Sequence, residues 1–149
     1  MNDVAPSFGR AGPTDATTTY AQVSEGVRAT IATYAQALDD GRTDDVVATF
    51  CLEGRCDIPG LGAHQGHDAL REAFAKTTPR RPQRHVVVNT VVSEWNDDQA
   101  EASSDLIFLL LGESGWKVEL VGRYHDILHH EDGTWRFHHR SATFVTERS

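Results

Sequence analysis

Positive charge is in short supply: 14 Lys and Arg stand against 22 Asp and Glu, for a net charge of −8. Nucleic-acid binding relies on Lys and Arg replacing counterions along the phosphates, so no nucleic-acid partner is expected. An anionic membrane surface is excluded on the same ground. Long apolar runs are missing too. The longest, "LIFLLL" at 106–111, falls far below the roughly 20 residues that cross a bilayer. Cysteine is scarce. Cys51 and Cys56 sit five apart with no second pair, a spacing that fits no zinc template and reads as two free thiols in a reduced cytoplasm. The opening stretch "MNDVAPSFGRAGPTDATTT" lacks the basic start and apolar segment of a secretory signal. Gly, Pro, Asp and Thr dominate it, so residues 1 to about 17 are expected to form a loose tail. Internal repeats, a Ser nucleophile elbow and a Gly-rich phosphate loop are absent as well.

What is present suits one soluble domain over residues 18–149. Hydrophobic residues make up 39% and charged residues 24% of the 149, enough for one core. Tyr20, Val23, Val27, Ile31, Tyr34 and Leu38 recur at steps of three and four, the stripe of an amphipathic helix over about 18–40. Gly41 is a natural stop. Thr43 offers a cap to a short second helix, about 43–51, with Asp44 and Asp45 in its first turn. "GRCDI" reads as a short strand and "PGLGAHQG" as a Gly-rich loop. Asp68 can cap a third helix, "ALREAFAKT". From there the pattern changes to long strands at 84–95, 100–111, 116–130 and 134–146, separated by turn signals. Three helices followed by a long antiparallel sheet predict an α+β fold, in which the sheet rolls over the helices and leaves a pocket for one small molecule.

Several polar residues sit in apolar company. His85 opens the strand "RHVVVNTVV". Asp105, in "EASSDLIFLLL", shares a strand face with Ile107, Leu109 and Leu111 and needs a partner there, unless it lies near the strand end in water. Tyr34 lies on the core stripe of the first helix. Asp39 lies where that helix ends, and five residues of helix put it on a different face from Tyr34, so both border a pocket only if the helix end points into it. His129, His130, His138 and His139 cluster near the last hairpin. Adjacent histidines on a strand point to opposite faces, so each pair offers one ligand per face and no standard metal cluster results. With "DG" as a two-residue turn, His130 pairs with Trp135, His129 with Arg136, His138 with Ile127 and His139 with Asp126.

The strings "YAQALDDGRTDDVVATF", "LREAF", "RHVVVN" and "GRYHDILHHEDGTWRFHHR" resemble, in order and spacing over residues 20 to about 146, the SnoaL-like branch of the nuclear transport factor 2-like superfamily. The resemblance implies a cone-shaped α+β barrel with a deep apolar pocket. Superfamily members include isomerases, dehydratases, cyclases, hydroxylase small subunits and non-enzymes. Tyr34 resembles the first-helix oxyanion donor of ketosteroid isomerases, but the aspartate those enzymes use as base is out of step here, at Asp57 in "CDIP". The site pattern is closer to scytalone dehydratase and bile-acid 7-alpha-dehydratase. By that resemblance Asp39, His85, Asp105, Tyr34 and Arg140 are the expected catalytic set, with Phe50, Tyr124 and Asp126 lining the pocket. Arg140 alternates with Trp135 and Phe137, so it reaches the pocket beside them only if the last strand carries a bulge.

These residues suit loss of water next to a carbonyl-activated carbon. His85 is the natural base, because an ordinary imidazole titrates at about 6.5. Asp105 would orient its ring, Tyr34 would donate to the carbonyl oxygen, and Asp39 would hold the leaving group or a water. The expected function is a cofactor-independent dehydratase of a small apolar hydroxylated carbonyl compound, steroid-like or polyketide-like. An isomerase or cyclase, and a non-catalytic ligand-binding domain, are the alternatives. No metal is required. The apolar face of "DLIFLLL" together with Trp116 predicts self-association as a homodimer or homotrimer.

Overall fold

The computed structural model describes residues 18–145; the tail expected at 1–17 lies outside the described residues. The chain begins with helix α1 (Tyr20–Asp39), whose capping box joins the Thr19 side chain and Gln22. Gly41, at φ 71°, takes the left-handed turn after it. Helix α2 (Thr43–Ala48) starts one residue earlier than Thr43 as a cap would allow: Arg42 is the N-cap and Thr43 the first helical residue. Strand β1 (Phe50–Ile58) pairs antiparallel with β2 (Gly62–Gln65), a short strand inside the expected Gly-rich loop. Helix α3 (His67–Ala75) is capped by Gly66, which leaves Asp68 in its first turn. Four long strands follow: β3 (Gln83–Trp95), β4 (Gln99–Gly112), β5 (Gly115–Glu131) and β6 (Thr134–Val145).

The sheet order is β2-β1-β6-β5-β4-β3, with β1 and β6 parallel. Helix α1 touches β3 at one edge as well as β4 and β6, so the sheet must curl around it. The core fills that hollow. Val23, Val27, Ile31 and Tyr34 from α1 meet Leu106, Tyr124, Leu128, Phe137 and Trp135 from the strands. The face turned away from the helices keeps large apolar groups in solvent, among them Val91, Trp116 and Val118. No helix among the described residues is long and apolar enough to cross a membrane.

Asp132 and Gly133, at φ 53° and 78°, make the expected two-residue turn between β5 and β6, as the type I′ hairpin requires. His130 pairs with Trp135 and His129 with Arg136. Beyond them the expected register is corrected. The ladder shifts between Ile127 and Leu128, so His139, not His138, pairs with Ile127, and Arg140, not His139, pairs with Asp126. His138 is the extra residue. This bulge turns Phe137 and Arg140 to the same side, and both are fully buried.

Candidate active site

Helix α1 ends pointing into the open end of the rolled sheet, and this places Asp39 against the first residues of β3. The Asp39 carboxylate accepts three hydrogen bonds there. His85 Nδ1 donates to Oδ1 at 2.6 Å, the His85 backbone N–H donates to Oδ2 at 2.8 Å, and Gln83 Nε2 donates to Oδ1 at 3.1 Å. The Asp39 and His85 side chains are only 5% and 13% exposed. Burial alone would raise the Asp39 carboxyl. The hydrogen bonds and charge of His85, with the Gln83 amide, outweigh it and hold the carboxyl below its ordinary value. An ionised carboxylate only accepts, so Nδ1 carries a ring proton, and in the neutral ring the lone pair is on Nε2. Phe108, across the β3–β4 ladder, packs its ring on the imidazole with centroids 4.5 Å apart.

His85 lines a cavity of about 230 Å³ together with Tyr34, Leu38, Gln83, Leu106, Phe108, Tyr124 and Phe144. Its wall is apolar apart from His85, Gln83, Thr77 and the two tyrosines. Burial raises the Tyr34 hydroxyl well above its ordinary value, and pushes Tyr124 up to about 12. Both phenols therefore stay protonated at neutral pH, the form that donates.

Behind the tyrosines lies a second polar group. Arg140 donates from Nε and Nη2 to the two Asp126 oxygens at 2.8 and 3.0 Å, and both side chains are wholly buried. Its guanidinium carbon sits 3.6 Å from the Tyr124 ring centroid, 4.3 Å from Phe137 and 4.4 Å from Tyr34. Its Nη1 has no hydrogen-bond partner, so the ring faces supply what stabilisation that edge receives.

The structure thus brings Asp39, His85, Tyr34 and Tyr124 together and sets the other expected residues apart. Asp105 is corrected: it does not meet His85. It pairs across the ladder with Val88, while His85 pairs with Phe108. The residues in these two pairs differ by three, so alternation puts them on opposite faces. Asp105 lies on the outer face, bound to Arg123 Nε at 2.7 Å and Asn89 Nδ2 at 2.9 Å. The carboxylate that orients His85 is Asp39, which the sequence assigned to the leaving group. Arg140, Asp126 and Phe50 are corrected as well. All three are buried behind the cavity wall rather than on it, because Tyr34 and Tyr124 stand in front of them. Gln83 was missed. Its signal was present, since it lies two residues before His85 and shares its strand face.

Residues 19–141 match the model of the SnoaL-like domain family. No curated protein sequence gives a significant match. Solved structures do. A Mycobacterium tuberculosis protein of unknown function superimposes with TM-score 0.77 at 24% identity, covering 83% of this chain and 76% of that one. A candidate scytalone dehydratase from Novosphingobium aromaticivorans gives 0.73 at 19% identity, covering 83% and 85%. An NTF2-like protein with a cystatin-like fold from the same organism gives 0.74 at 14% identity, covering 93% and 95%. At such identities the likeness is one of fold alone, and the fold is the α+β barrel expected from the sequence.

Proposed function

The chain belongs to the SnoaL-like domain family, and from that premise we propose that it is a cofactor-independent dehydratase of a small β-hydroxy carbonyl compound. The observation that carries this reading is the Asp39–His85 pair, 2.6 Å apart, at the wall of a largely apolar cavity. The dehydratase name of the Novosphingobium structure supports the same class.

In the proposed reaction His85 Nε2 takes the proton from the carbon beside the carbonyl. The C–H electrons move to the carbonyl oxygen as an enolate, with Tyr34 or Tyr124 donating to that oxygen. The enolate then expels the β-hydroxyl, which receives the proton from His85 and leaves as water. Asp39 fixes the tautomer that makes Nε2 basic and stabilises the imidazolium between the two steps. Such acid–base work contributes about 10²–10⁴-fold in rate. The cavity, about 230 Å³, is below the usual range of about 300–1,000 Å³ for ligand sites. Its size favours a compact one- or two-ring polyketide-like compound over a four-ring steroid. An isomerase would use the same base and donor without a leaving hydroxyl.

The test offers wild type, His85→Ala and Asp39→Asn a panel of β-hydroxy carbonyl compounds and follows the absorbance of the conjugated product. Turnover by wild type and its loss in both variants, with ligand binding kept, is the expected result. Equal turnover in all three proteins sinks the mechanism. Binding without turnover in wild type makes the domain a ligand carrier.

A further inference from the structure

A second group of side chains is left without a role by the cavity chemistry. Near the turn of the β5–β6 hairpin, Cys51, His129 and Glu131 bring one sulfur, one imidazole nitrogen and one carboxylate oxygen within 4.8 Å of one another. His129 and Glu131 are two apart on β5, so alternation sends both to one face. Cys51 reaches the same spot from β1, its Sγ 3.7 Å from the Arg136 carbonyl oxygen on the intervening strand β6. The His129 ring is stacked on His138, with centroids 4.1 Å and planes 11° apart. Cys51 lies far along the chain from His129 and Glu131, and no helix end or acidic run accounts for their meeting.

We propose that Cys51, His129 and Glu131 form a binding site for one borderline-soft divalent cation of the zinc class, separate from the His85 cavity. Thiolate, imidazole and carboxylate are the three donor types that zinc-class ions take from proteins. Metal–ligand bonds of about 2.0–2.3 Å require the donors to close in somewhat from their present spacing. Glu131 is exposed, and its side chain supplies that movement. His138 does not serve as a fourth ligand. Imidazole lone pairs lie in the ring plane, and two parallel stacked planes do not converge on one ion. It braces His129 instead, and the fourth position falls to water or an external ligand.

Burial and the neighbouring His138 lower the His129 pKa, against the opposing charge of Glu131. Burial first, then the charge of Glu131, pushes the Cys51 thiol up to about 11. Without a cation, the carboxylate faces a thiol that it keeps from ionising. A divalent ion reverses that repulsion and draws off the thiol proton.

The test titrates the tag-free, reduced, full-length chain with Co²⁺ as the probe. The expected result is one equivalent bound, with a near-ultraviolet thiolate-to-cobalt charge-transfer band that Zn²⁺ abolishes on displacement. Cys51→Ala should remove the band, and His129→Gln and Glu131→Gln should each weaken binding at least about tenfold, the factor that one lost ligand contact of about 1.4 kcal/mol represents. Absence of the band in wild type overturns the site, as does unchanged Co²⁺ affinity in Cys51→Ala. If Cys51→Ala fails to fold, Glu131→Gln decides alone, because that residue is exposed and its loss leaves the core intact. Unchanged affinity in Glu131→Gln overturns the proposal.

Discussion

Asp126→Asn changes one atom type in the most buried ion pair of the molecule, and its cost can be worked from the pair's surroundings. Arg140 and Asp126 are both 0% exposed and meet through two hydrogen bonds, at 2.8 and 3.0 Å. Asparagine keeps the shape but removes the charge, and it presents an amide N–H to one guanidinium nitrogen. The guanidinium stays charged, because arginine does not release its proton in proteins. Its Nη1 already has no partner, so the variant leaves a buried cation facing one neutral acceptor and three ring faces. Removing one member of such a pair costs about 3–5 kcal/mol. At roughly 2–4 °C per kcal/mol for a chain near this size, Tm should fall by about 6–20 °C. Asp105→Asn is the matched control. Its pair with Arg123 is as short, at 2.7 Å, but the side chains are 29% and 57% exposed, and such a pair contributes only about 0–1 kcal/mol. Replacing both buried partners, Asp126→Leu with Arg140→Met, removes the stranded charge and should recover most of the loss. The assay is urea and thermal unfolding of the four proteins, followed by circular dichroism. An Asp126→Asn variant within 1 kcal/mol of wild type, or equal to Asp105→Asn, refutes the reasoning, since burial would then not decide the value of the pair.

Three further outcomes are expected. Asp39 is held below its unfolded carboxyl value of about 3.9, so its stabilising contribution is complete above that value and is lost as pH falls through the lower folded pKa. The gap in unfolding free energy between wild type and Asp39→Asn, roughly 1.5–3 kcal/mol for charged hydrogen bonds, should therefore be constant above about pH 5 and narrow progressively as pH falls below about 4; a gap that does not narrow as pH falls contradicts this. Gly26→Ala should destabilise by about 1–3 kcal/mol, against the roughly 1 kcal/mol gain usual for this change inside a helix. The new Cβ overlaps the ring of buried Trp135, and a rise in Tm would show that the ring moves aside freely. Gln83→Leu should lower turnover about tenfold by removing one donor of about 1.4 kcal/mol from Asp39, with little change in KM; an unaltered kcat would show that Gln83 does not help fix the pair.

The molecule was legible in its sequence where the information is local. The helical stripe from Tyr20 to Leu38, the Gly41 stop, the four long strands and the Asp132–Gly133 turn all follow from side-chain period and turn chemistry. Those set the α+β fold, because a stripe of apolar groups has one place to go. His85 at the mouth of the sheet was legible as well, as the head of a strand that the helix order places there. The partner of His85 was not. Asp39 and Asp105 were both available carboxylates, and only the direction of α1's last turn and the β3–β4 register separate them: one register pairs His85 with Phe108, and alternation then turns Asp105 outward. The bulge at His138 likewise escaped the alternating pattern. One inserted residue turned Arg140 inward onto Asp126 and moved both behind Tyr34 and Tyr124. Cys51 met His129 and Glu131 for a similar reason, since β1 and β5 flank β6 only in the folded sheet. The sequence by itself therefore determined the three helices and four long strands, their order and the residue types present at the open end, but not the short strand β2 or where the second helix ends. The tertiary structure alone decided which polar groups touch, because a shift of one residue in register exchanges the two faces of a strand without changing its local pattern.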